Sequence, residues 1–407
     1  MDAFMNPYHS TDNPEGKILL AVAENKLTFT EVLRPAFCAA DAPAAAFGYG
    51  PMRGSPDLRA QIARLMTARI CPGVDIQPDE LTLNAGVAAV LSNVALALLE
   101  PGDAALIPAP YYAAFNSDLR AVARCAAVPA PCAPPGYALT PAALQGAYDA
   151  AVARGLRPAC VLLTNPHNPL GRCYSAAELQ CAVQFCRLRS LHLISDEIYA
   201  LSAFHGRSAA NREAGVEETP FTSVASVVGG ALGDYIHVVW GFSKDFGGSG
   251  LRVGVLFSRN ERLRRALDTL SMFSGCSGHT QAALAAVLRD DALVARYLDE
   301  NARRLARSYD ALAAWLARMR IPYSPCTSGI FAWIDMRALL SEATWEGEEA
   351  WFRAMCAAGV VLTPGRSQKT EAPGYFRACY AFVPLEVLQV ALGKLERLIE
   401  GGAAKLK

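Results

Sequence analysis

The middle of the chain alternates short, predominantly apolar runs with longer amphipathic stretches. Apolar runs begin at Ala104, Cys160, Leu191 and Tyr235, and residues 175–189 between two of these runs have the spacing of an amphipathic helix. Strands that are buried on both faces have nearly continuous apolar sequences, and helices that alternate with them connect parallel strands. The pattern therefore predicts an α/β fold with a mostly parallel sheet.

The pattern changes towards the C-terminus. The arginine-rich stretch 289–320 predicts one long linking helix, and residues 330–335 and 376–381 predict strands of a smaller α+β domain. The first residues are interrupted by prolines, which indicates an arm or a part of the smaller domain. We expect three parts, namely 1–45 as N-terminal arm and part of the small domain, 46–290 as the large domain, and 291–407 as linking helix and C-terminal small domain.

The composition excludes several classes of function. The chain has 407 residues, of which 52% are hydrophobic, and 38 basic side chains balance 38 acidic ones. Because neither sign of charge is in excess, we expect neither nucleic acid nor a membrane surface as partner. The chain contains no apolar run as long as the roughly 18 residues of a membrane span, and its first residues do not resemble a secretory signal.

The 12 cysteines include no C-x-x-C pair and no His/Cys cluster with metal-ligand spacing. Several lie within apolar runs, as Cys160 and Cys379 do. We interpret them as buried free thiols in a reducing cytoplasm, with disulfides or a metal site as the alternative. We therefore expect no metal in the functional site.

Lysine is scarce, and one lysine has an unusual position. Between Lys26 and Lys369 the chain has a single lysine, Lys244, in the Gly/Ser-rich segment 241–254 that follows a predicted strand. Loops after the strands of α/β folds commonly carry chemistry, and a partly buried amine with a lowered pKa can form a Schiff base. Lys244 is therefore a candidate covalent anchor, the alternative being an exposed lysine in a flexible loop.

Two neighbouring features suit a phosphate group. Ser243 offers a hydroxyl and Arg252 a bidentate guanidinium. Upstream, residues 86–88 open a predicted helix, whose first backbone N–H groups attract anions. Glycine is common in strand-to-helix turns, so a purely structural turn remains the alternative for this loop.

Polar and aromatic residues follow the other predicted strands. Asp196 lies where an unpaired buried carboxylate is costly, and a protonated pyridine nitrogen would be a suitable partner. Asn168 and Tyr199 can donate hydrogen bonds to a phenolate oxygen, and Tyr112 offers a face for stacking on a flat ring. The alternatives are a solvated helix cap for Asp196 and core packing for the tyrosines.

Three motifs in this order resemble those of the class I/II aminotransferases, which are fold-type I enzymes dependent on pyridoxal 5′-phosphate (PLP). They are Asn-Pro-His-Asn-Pro-Leu-Gly at 165–171, Asp-Glu-Ile-Tyr at 196–199 and Ser-Lys-Asp-Phe-Gly at 243–247. The resemblance spans about residues 13–395 and implies the PLP-dependent transferase fold of aspartate aminotransferase, in which the large domain binds PLP.

The resemblance also implies roles for individual residues. Lys244 would form the Schiff base and shuttle protons, Asp196 would pair with the pyridinium nitrogen, and Arg377 would bind the substrate α-carboxylate. The other implied contacts with PLP are Asn168 and Tyr199 at the ring hydroxyl, Tyr112 at the ring face, and Ser243, Arg252 and the backbone of Gly86, Val87 and Ala88 at the phosphate.

Two further segments are similar to the 1-aminocyclopropane-1-carboxylate (ACC) synthases and the ACC synthase-like proteins. They are Ala-Glu-Asn-Lys-Leu at 23–27 and Phe-Gly-Tyr-Gly at 47–50. The similarity implies S-adenosylmethionine (SAM) as substrate, with Lys244 removing the α-proton and methylthioadenosine leaving from Cγ. A quinonoid or vinylglycine-type intermediate would then give ACC or, with a second co-substrate, a γ-replacement product.

The same similarity adds Glu24 and Tyr49 to the catalytic and substrate-binding candidates. Glu24 would face the sulfonium or guard the pocket, the alternative being a helix-start carboxylate. Tyr49 would be delivered across the interface of a homodimer with shared active sites, and residues 274–281 would approach the neighbouring cofactor.

The chain departs from the family pattern at three places. Ala88 replaces a common threonine in the phosphate loop, Gly241 replaces a common serine, and Asn116-Ser117 replaces an acidic-basic pair after Tyr112. The first two leave PLP binding intact, because backbone N–H groups and Arg252 remain. The third predicts a changed polarity on the substrate side.

Two other functions remain as alternatives. An aminotransferase for a neutral or aromatic amino acid would also need a 2-oxo acid for its second half-reaction. A non-catalytic regulator with this fold would be expected to lose Lys244, Asp196 or Arg377, and all three are present.

Overall fold

The structure is a computed structural model, and it describes residues 2–403. The strands are β1 (Ile18–Leu19), β2 (Leu81–Asn84), β3 (Asp103–Ala109), β4 (Ala126–Pro131), β5 (Arg157–Thr164), β6 (His192–Asp196), β7 (Ile236–Gly241), β8 (Gly254–Ser258), β9 (Tyr323–Ser324), β10 (Phe331–Asp335), β11 (Val360–Val361), β12 (Thr363–Pro364) and β13 (Tyr375–Cys379).

The helices are α1 (Asp2–Met5), α2 (Phe29–Val32), α3 (Arg34–Ala39), α4 (Pro56–Leu65), α5 (Val87–Leu98), α6 (Phe115–Ala121), α7 (Pro141–Ala153), α8 (Ala176–Arg189), α9 (Ala209–Glu213), α10 (Val224–Val227), α11 (Phe242–Asp245), α12 (Glu261–Leu270), α13 (Gly278–Arg289), α14 (Asp291–Arg318), α15 (Trp345–Ala357) and α16 (Leu385–Ala403). A π-helical turn continues α4 over Met66–Ile70, and short 3₁₀ turns lie between several of the other elements.

A seven-stranded sheet in the order β2-β8-β7-β6-β5-β3-β4 forms the centre of the described chain. β8 is antiparallel to both its neighbours, and the remaining paired strands are parallel. The α/β prediction with a mostly parallel sheet is confirmed, as are the strands predicted from the apolar runs at Ala104, Cys160, Leu191 and Tyr235. Alternate residues of β5 pack into hydrophobic clusters on opposite faces of the sheet, which explains its nearly continuous apolar sequence.

The amphipathic stretch 175–189 forms α8, and its ends follow from local chemistry. Ser175 and Glu178 make a capping box at the N-terminus, and Ser190 ends the helix in the left-handed conformation. The single long helix predicted over 289–320 is confirmed as α14, which spans Asp291–Arg318. The Asp290 side chain accepts a hydrogen bond from the Leu293 backbone N–H at 2.9 Å, so it caps α14 and separates that helix from α13.

The N-terminal segment packs with the C-terminal part of the chain. β1 pairs in parallel with β11, with Ile18 opposite Val360. β12, β13, β10 and β9 form an antiparallel sheet that contains both strands predicted after the long helix. The boundaries at residues 45 and 290 between an arm, a large domain and a small domain stay a prediction.

Three further observations concern the described residues. Between residues 2 and 403, no helix combines the length and the apolar character that crossing a membrane requires. The cysteines are free thiols, and most of them are buried. The same residues contain no group of three or more His, Cys, Asp or Glu side chains arranged to hold a metal ion.

Candidate active site

A cavity of about 190 Å³ lies at the carboxyl edge of the central sheet. Thr164 ends β5, Asp196 ends β6, and Lys244 follows the end of β7, so three parallel strands deliver side chains to the same place. The antiparallel strand β8 begins at this edge, since Gly254 pairs with both Gly241 and Asn84. Arg252 and the loop after β2 therefore also converge on the cavity.

Lys244 lines the cavity from the short helix α11. Its Nζ atom donates a hydrogen bond to the Ala23 carbonyl oxygen. Burial lowers the pKa of this amine, while the charges of Cys379, Glu24 and Asp196 oppose the shift. A lower pKa increases the fraction of neutral amine, which is the form that attacks a carbonyl or accepts a proton.

Asp245, beside the lysine, holds this turn in place. Its carboxylate is fully buried and accepts hydrogen bonds from Ser202 Oγ at 2.6 Å, Trp240 Nε1 at 2.8 Å and the Leu201 backbone N–H at 3.0 Å. The bonds connect α11 with β7 and with the segment after Tyr199. Sequence reasoning missed this role, because no local signal indicates which distant donors surround Asp245.

Asp196 is buried in the cavity wall, where its Oδ1 accepts a hydrogen bond from the Ile198 backbone N–H at 3.3 Å. Burial raises the pKa of this carboxyl to about 7, and Lys244 partly opposes the shift. A carboxylate with so little compensation favours a bound cation, so the site suits a protonated ring nitrogen.

Arg377 lies on β13 in the antiparallel sheet, beside the cavity. Its Nη1 donates to Asn168 Oδ1 at 3.0 Å, and its Nη2 donates to the Ala21 carbonyl oxygen at 2.8 Å and to Thr363 Oγ1 at 3.2 Å. The Nε atom is buried without a hydrogen-bond partner, and the guanidinium lies 4.2 Å from the centre of the Phe331 ring. A free N–H on a buried guanidinium leaves room for a carboxylate oxygen.

The loop from β2 to α5 forms one wall of the cavity. Gly86 has a φ of 90°, and a Cβ atom at this position would lie 2.3 Å from Arg252 Nη2. No side chain caps α5, so the first N–H groups of this helix are free near Val87 and Ala88, which line the cavity with Ser243. Helix N–H groups, a hydroxyl and a guanidinium together suit a phosphate dianion.

The ring-binding candidates also lie in this cavity. Asn168, Tyr199 and Tyr112 line it, and Tyr112 makes an edge-to-face contact with Phe115 at a centroid distance of 5.4 Å. Asn116 and Ser117, the replaced acidic-basic pair, instead bond to nearby groups of their own segment. Asn116 Oδ1 accepts from Tyr111 OH at 3.1 Å, and Ser117 Oγ donates to the Ala114 carbonyl oxygen at 2.9 Å. The departure at these positions thus lies outside the cavity lining.

Four of the candidates are not among the residues that line the cavity. Gly86 precedes the lining residue Val87, and Arg377 donates to the lining residue Asn168, whereas the side chains of Tyr49 and Glu24 have other surroundings. Tyr49 is fully exposed, and it borders a separate surface depression together with Gly275 and Gln281. Glu24 follows the cavity residue Ala23, but its carboxylate accepts a hydrogen bond from Ser249 Oγ and pairs with Lys26 Nζ at 3.4 Å.

The arrangement fits PLP. Phosphate-binding groups form one wall, the buried carboxylate of Asp196 lies in another, and the partly buried amine of Lys244 lines the same cavity. The cavity also contains a second carboxylate, Asp118, that sequence reasoning missed. Its helix follows Tyr112, but nothing in the sequence shows which face of that helix is turned inward.

The buried carboxylate of Asp196 predicts a pH-dependent stability of the cofactor-free protein. Its pKa of about 7 compares with about 4 in an unfolded chain. Stability from the protonated form is therefore present below about pH 4 and is lost as the pH rises to about 7. We expect the unfolding free energy from urea titrations to fall with pH less steeply in Asp196→Asn than in the wild type, by up to about 1.4 kcal/mol per pH unit.

A matched control removes a carboxylate at the surface. Asp149 is exposed on α7, and Asp149→Asn should keep the pH dependence of the wild type. If the unfolding free energy changed with pH equally steeply in the wild type and in Asp196→Asn, the raised pKa of Asp196 would be contradicted.

Comparisons with known proteins agree with this geometry. The family model described as aminotransferase class I and II matches residues 15–395. ACC synthase 5 of Oryza sativa subsp. japonica is 36% identical over 97% of this chain and 75% of that protein. ACC synthase 8 of Arabidopsis thaliana is 33% identical over 97% of this chain and 86% of that protein.

Solved structures are similar in fold. A Thermus thermophilus aspartate aminotransferase tetra mutant aligns with a TM-score of 0.77 and 22% identity, over 94% of this chain and 96% of that chain. The aromatic aminotransferase of Pyrococcus horikoshii OT3 aligns with a TM-score of 0.78 and 20% identity, over 98% of each chain. At these identities the likeness demonstrates the architecture only, and it bears out the aspartate aminotransferase-like fold.

Proposed function

The chain belongs to the class I and II aminotransferase family and is a PLP-dependent enzyme near its ACC synthase branch, and from that premise we propose that it consumes SAM. The reaction would remove the α-proton of SAM and expel methylthioadenosine from Cγ. One observation carries the proposal. Relatives that are 33–36% identical over nearly the whole chain are named ACC synthases, whereas the two aminotransferases of known structure are 20–22% identical and show the fold alone.

The chain supplies the groups that would bind PLP. Ser243, Arg252 and the N–H groups at Gly86, Val87 and Ala88 would hold the phosphate, while Asn168 and Tyr199 would bind the ring hydroxyl, Tyr112 the ring face and Asp196 the ring nitrogen. When bound, PLP supplies an electron sink for negative charge at the α-carbon.

Proton transfer would belong to Lys244. Burial lowers the pKa of its amine, so a neutral Nζ atom can take the α-proton of the substrate. Arg377 would bind the α-carboxylate through its planar fork and so hold the substrate in one orientation relative to Nζ.

The atoms of the proposed reaction balance without an oxidant or reductant. The α-proton passes to Lys244, and the Cγ–S bond breaks with its electron pair on the sulfur of methylthioadenosine. Closure of the bond from the α-carbon to Cγ gives ACC. In the γ-replacement variant, a nucleophile of a second substrate bonds to the carbon skeleton instead.

We expect the enzyme to release methylthioadenosine from SAM when no 2-oxo acid is present. Mass spectrometry of all products after incubation of the holoenzyme with SAM checks this and separates ACC from a γ-replacement product. An aminotransferase would instead leave SAM unchanged and exchange amino groups between a neutral or aromatic amino acid and a 2-oxo acid. That second pattern would refute the proposal.

We also propose a homodimer in which Tyr49 and Glu24 act on substrate, with Tyr49 entering the partner's site. The large apolar side chains of Phe47 and Tyr49 are exposed, as are those of Met272 and Phe273, which shortly precede the depression residue Gly275. Such clustered apolar exposure is typical of surfaces that are covered in an assembly. The same surface includes Gly275 and Gln281 of the segment 274–281.

The cytoplasm is the proposed compartment. The free thiols of the described chain, most of them buried, are the form that a reducing environment maintains.

A further inference from the structure

Asp118 is a cavity residue without an assigned role. It lies in the first turn of α6 and lines the same cavity as Asp196, Tyr112 and Lys244. The two residues before it, Asn116 and Ser117, turn back to their own segment. Asp118 is thus the residue of this turn that brings negative charge to the cavity.

The charge of Asp118 is not compensated within the described chain. Its carboxylate makes no hydrogen bond or ion pair there and does not cap the N-terminus of its own helix. Burial alone raises its pKa, without a nearby cation to oppose the shift. Glu24 differs, because Ser249 and Lys26 already engage its carboxylate. A half-buried carboxylate without a partner favours a cationic ligand.

The electrostatic neighbours of Asp118 indicate which part of the cavity it influences. Burial raises the pKa of Tyr112 and of Asp196, and the charge of Asp118 acts in the same direction on both. The largest electrostatic influences on Lys244 come from Cys379, Glu24, Arg377 and Asp196. The negative charge of Asp118 therefore adds to that of Asp196.

We propose that Asp118 is a second carboxylate for the ring nitrogen of PLP and acts beside Asp196 to favour the protonated, cationic ring. The inference rests on the PLP chemistry of the proposed function and is independent of SAM as substrate. Two like charges near one site raise the proton affinity of a base that binds between or beside them. A permanently protonated ring nitrogen is the form that withdraws electrons from the α-carbon most strongly.

The test compares two cofactors in the wild type, Asp118→Asn and Asp196→Asn. One cofactor is PLP, and the other is its 1-deaza analogue, in which a C–H group replaces the ring nitrogen. Asparagine preserves the volume of Asp118 but removes its charge. We expect Asp118→Asn to weaken PLP binding by about tenfold, which corresponds to a change of about one unit in the pKa of the ring nitrogen. Binding of the 1-deaza analogue should be unchanged or tighter, because the analogue has no ring nitrogen to protonate. Asp196→Asn should show the same selectivity with a larger effect.

Retained binding of the analogue demonstrates that the variant cavity is folded, and Asp149→Asn controls for the loss of one carboxylate elsewhere. An equal loss for both cofactors would overturn the proposal in favour of a packing role. Unchanged affinity for both, or a raised KM for SAM with unchanged PLP affinity, would also overturn it. The last result would assign Asp118 to the substrate sulfonium.

Two measurements on the wild type, PLP binding and methylthioadenosine release, distinguish a failure of the Asp118 proposal from a failure of the proposed function. Wild-type protein that does not bind PLP would refute the cofactor chemistry and this inference together. Wild-type holoenzyme that does not release methylthioadenosine from SAM would refute the substrate alone, and the cofactor selectivity of Asp118→Asn would still support the second carboxylate.

Discussion

Lys244→Ala should abolish both turnover and the visible absorbance of lysine-bound cofactor. Lys244 is the lysine that lines the cavity, and the next lysines along the chain are Lys26 and Lys369. Removing a base that acts directly on the reacting atom commonly costs several orders of magnitude in rate. Absorbance spectra of the purified variant and the rate of methylthioadenosine release measure the two effects.

Complementation by a second variant separates loss of chemistry from loss of folding. Lys244→Ala and Tyr49→Ala should each be nearly inactive alone. If each active site takes Lys244 from one subunit and Tyr49 from the other, random mixing yields about half heterodimers, each with one intact site. The mixture should therefore regain about a quarter of wild-type activity. Undiminished turnover in Lys244→Ala would refute its role, and a mixture no better than its components would refute the shared site.

Arg377→Lys should raise the KM for the amino-acid substrate by at least about tenfold, because an ammonium replaces a planar bidentate fork. The guanidinium is buried, donates to Asn168, Ala21 and Thr363, and keeps a free Nε–H. An ammonium has three N–H donors against five in a guanidinium, so a lysine cannot replace the three observed bonds and also donate to a carboxylate. Steady-state kinetics on SAM provide the measurement.

An arginine at the opposite edge of the sheet provides a matched control. Arg157 at the start of β5 makes a bidentate pair with Asp103, with bonds of 2.7 Å and 2.6 Å. Because this pair is remote from the cavity, Arg157→Lys should leave both KM and kcat close to their wild-type values. Arg377→Lys with kinetic constants like those of Arg157→Lys would contradict a substrate-binding role for Arg377.

Much of the architecture could be predicted from local patterns. Strands β5, β6 and β7 are recognisable in the sequence as apolar runs, because both of their faces are covered by other elements. The long helix predicted over 289–320 is α14, and its start differs by two residues because Asp290 caps it and separates it from α13.

The sequence by itself determined the family, the cofactor and the order of the candidate site residues. These residues sit in short motifs directly after strands, and parallel strands bring their carboxyl ends to one edge whatever the details of packing. Lys244, Asp196 and the loop at Gly86 meet there for that reason.

Tertiary structure alone decided which charges are exposed, paired or left uncompensated. Asn116 and Ser117 bond within their own segment, whereas Asp118 lines the cavity. The difference follows from the way in which α6 packs in the fold. Arg377 and Asn168 meet across 209 positions of sequence. Such contacts depend on the orientation of side chains from distant segments and on the burial that those segments create together, and neither quantity is encoded in a local pattern.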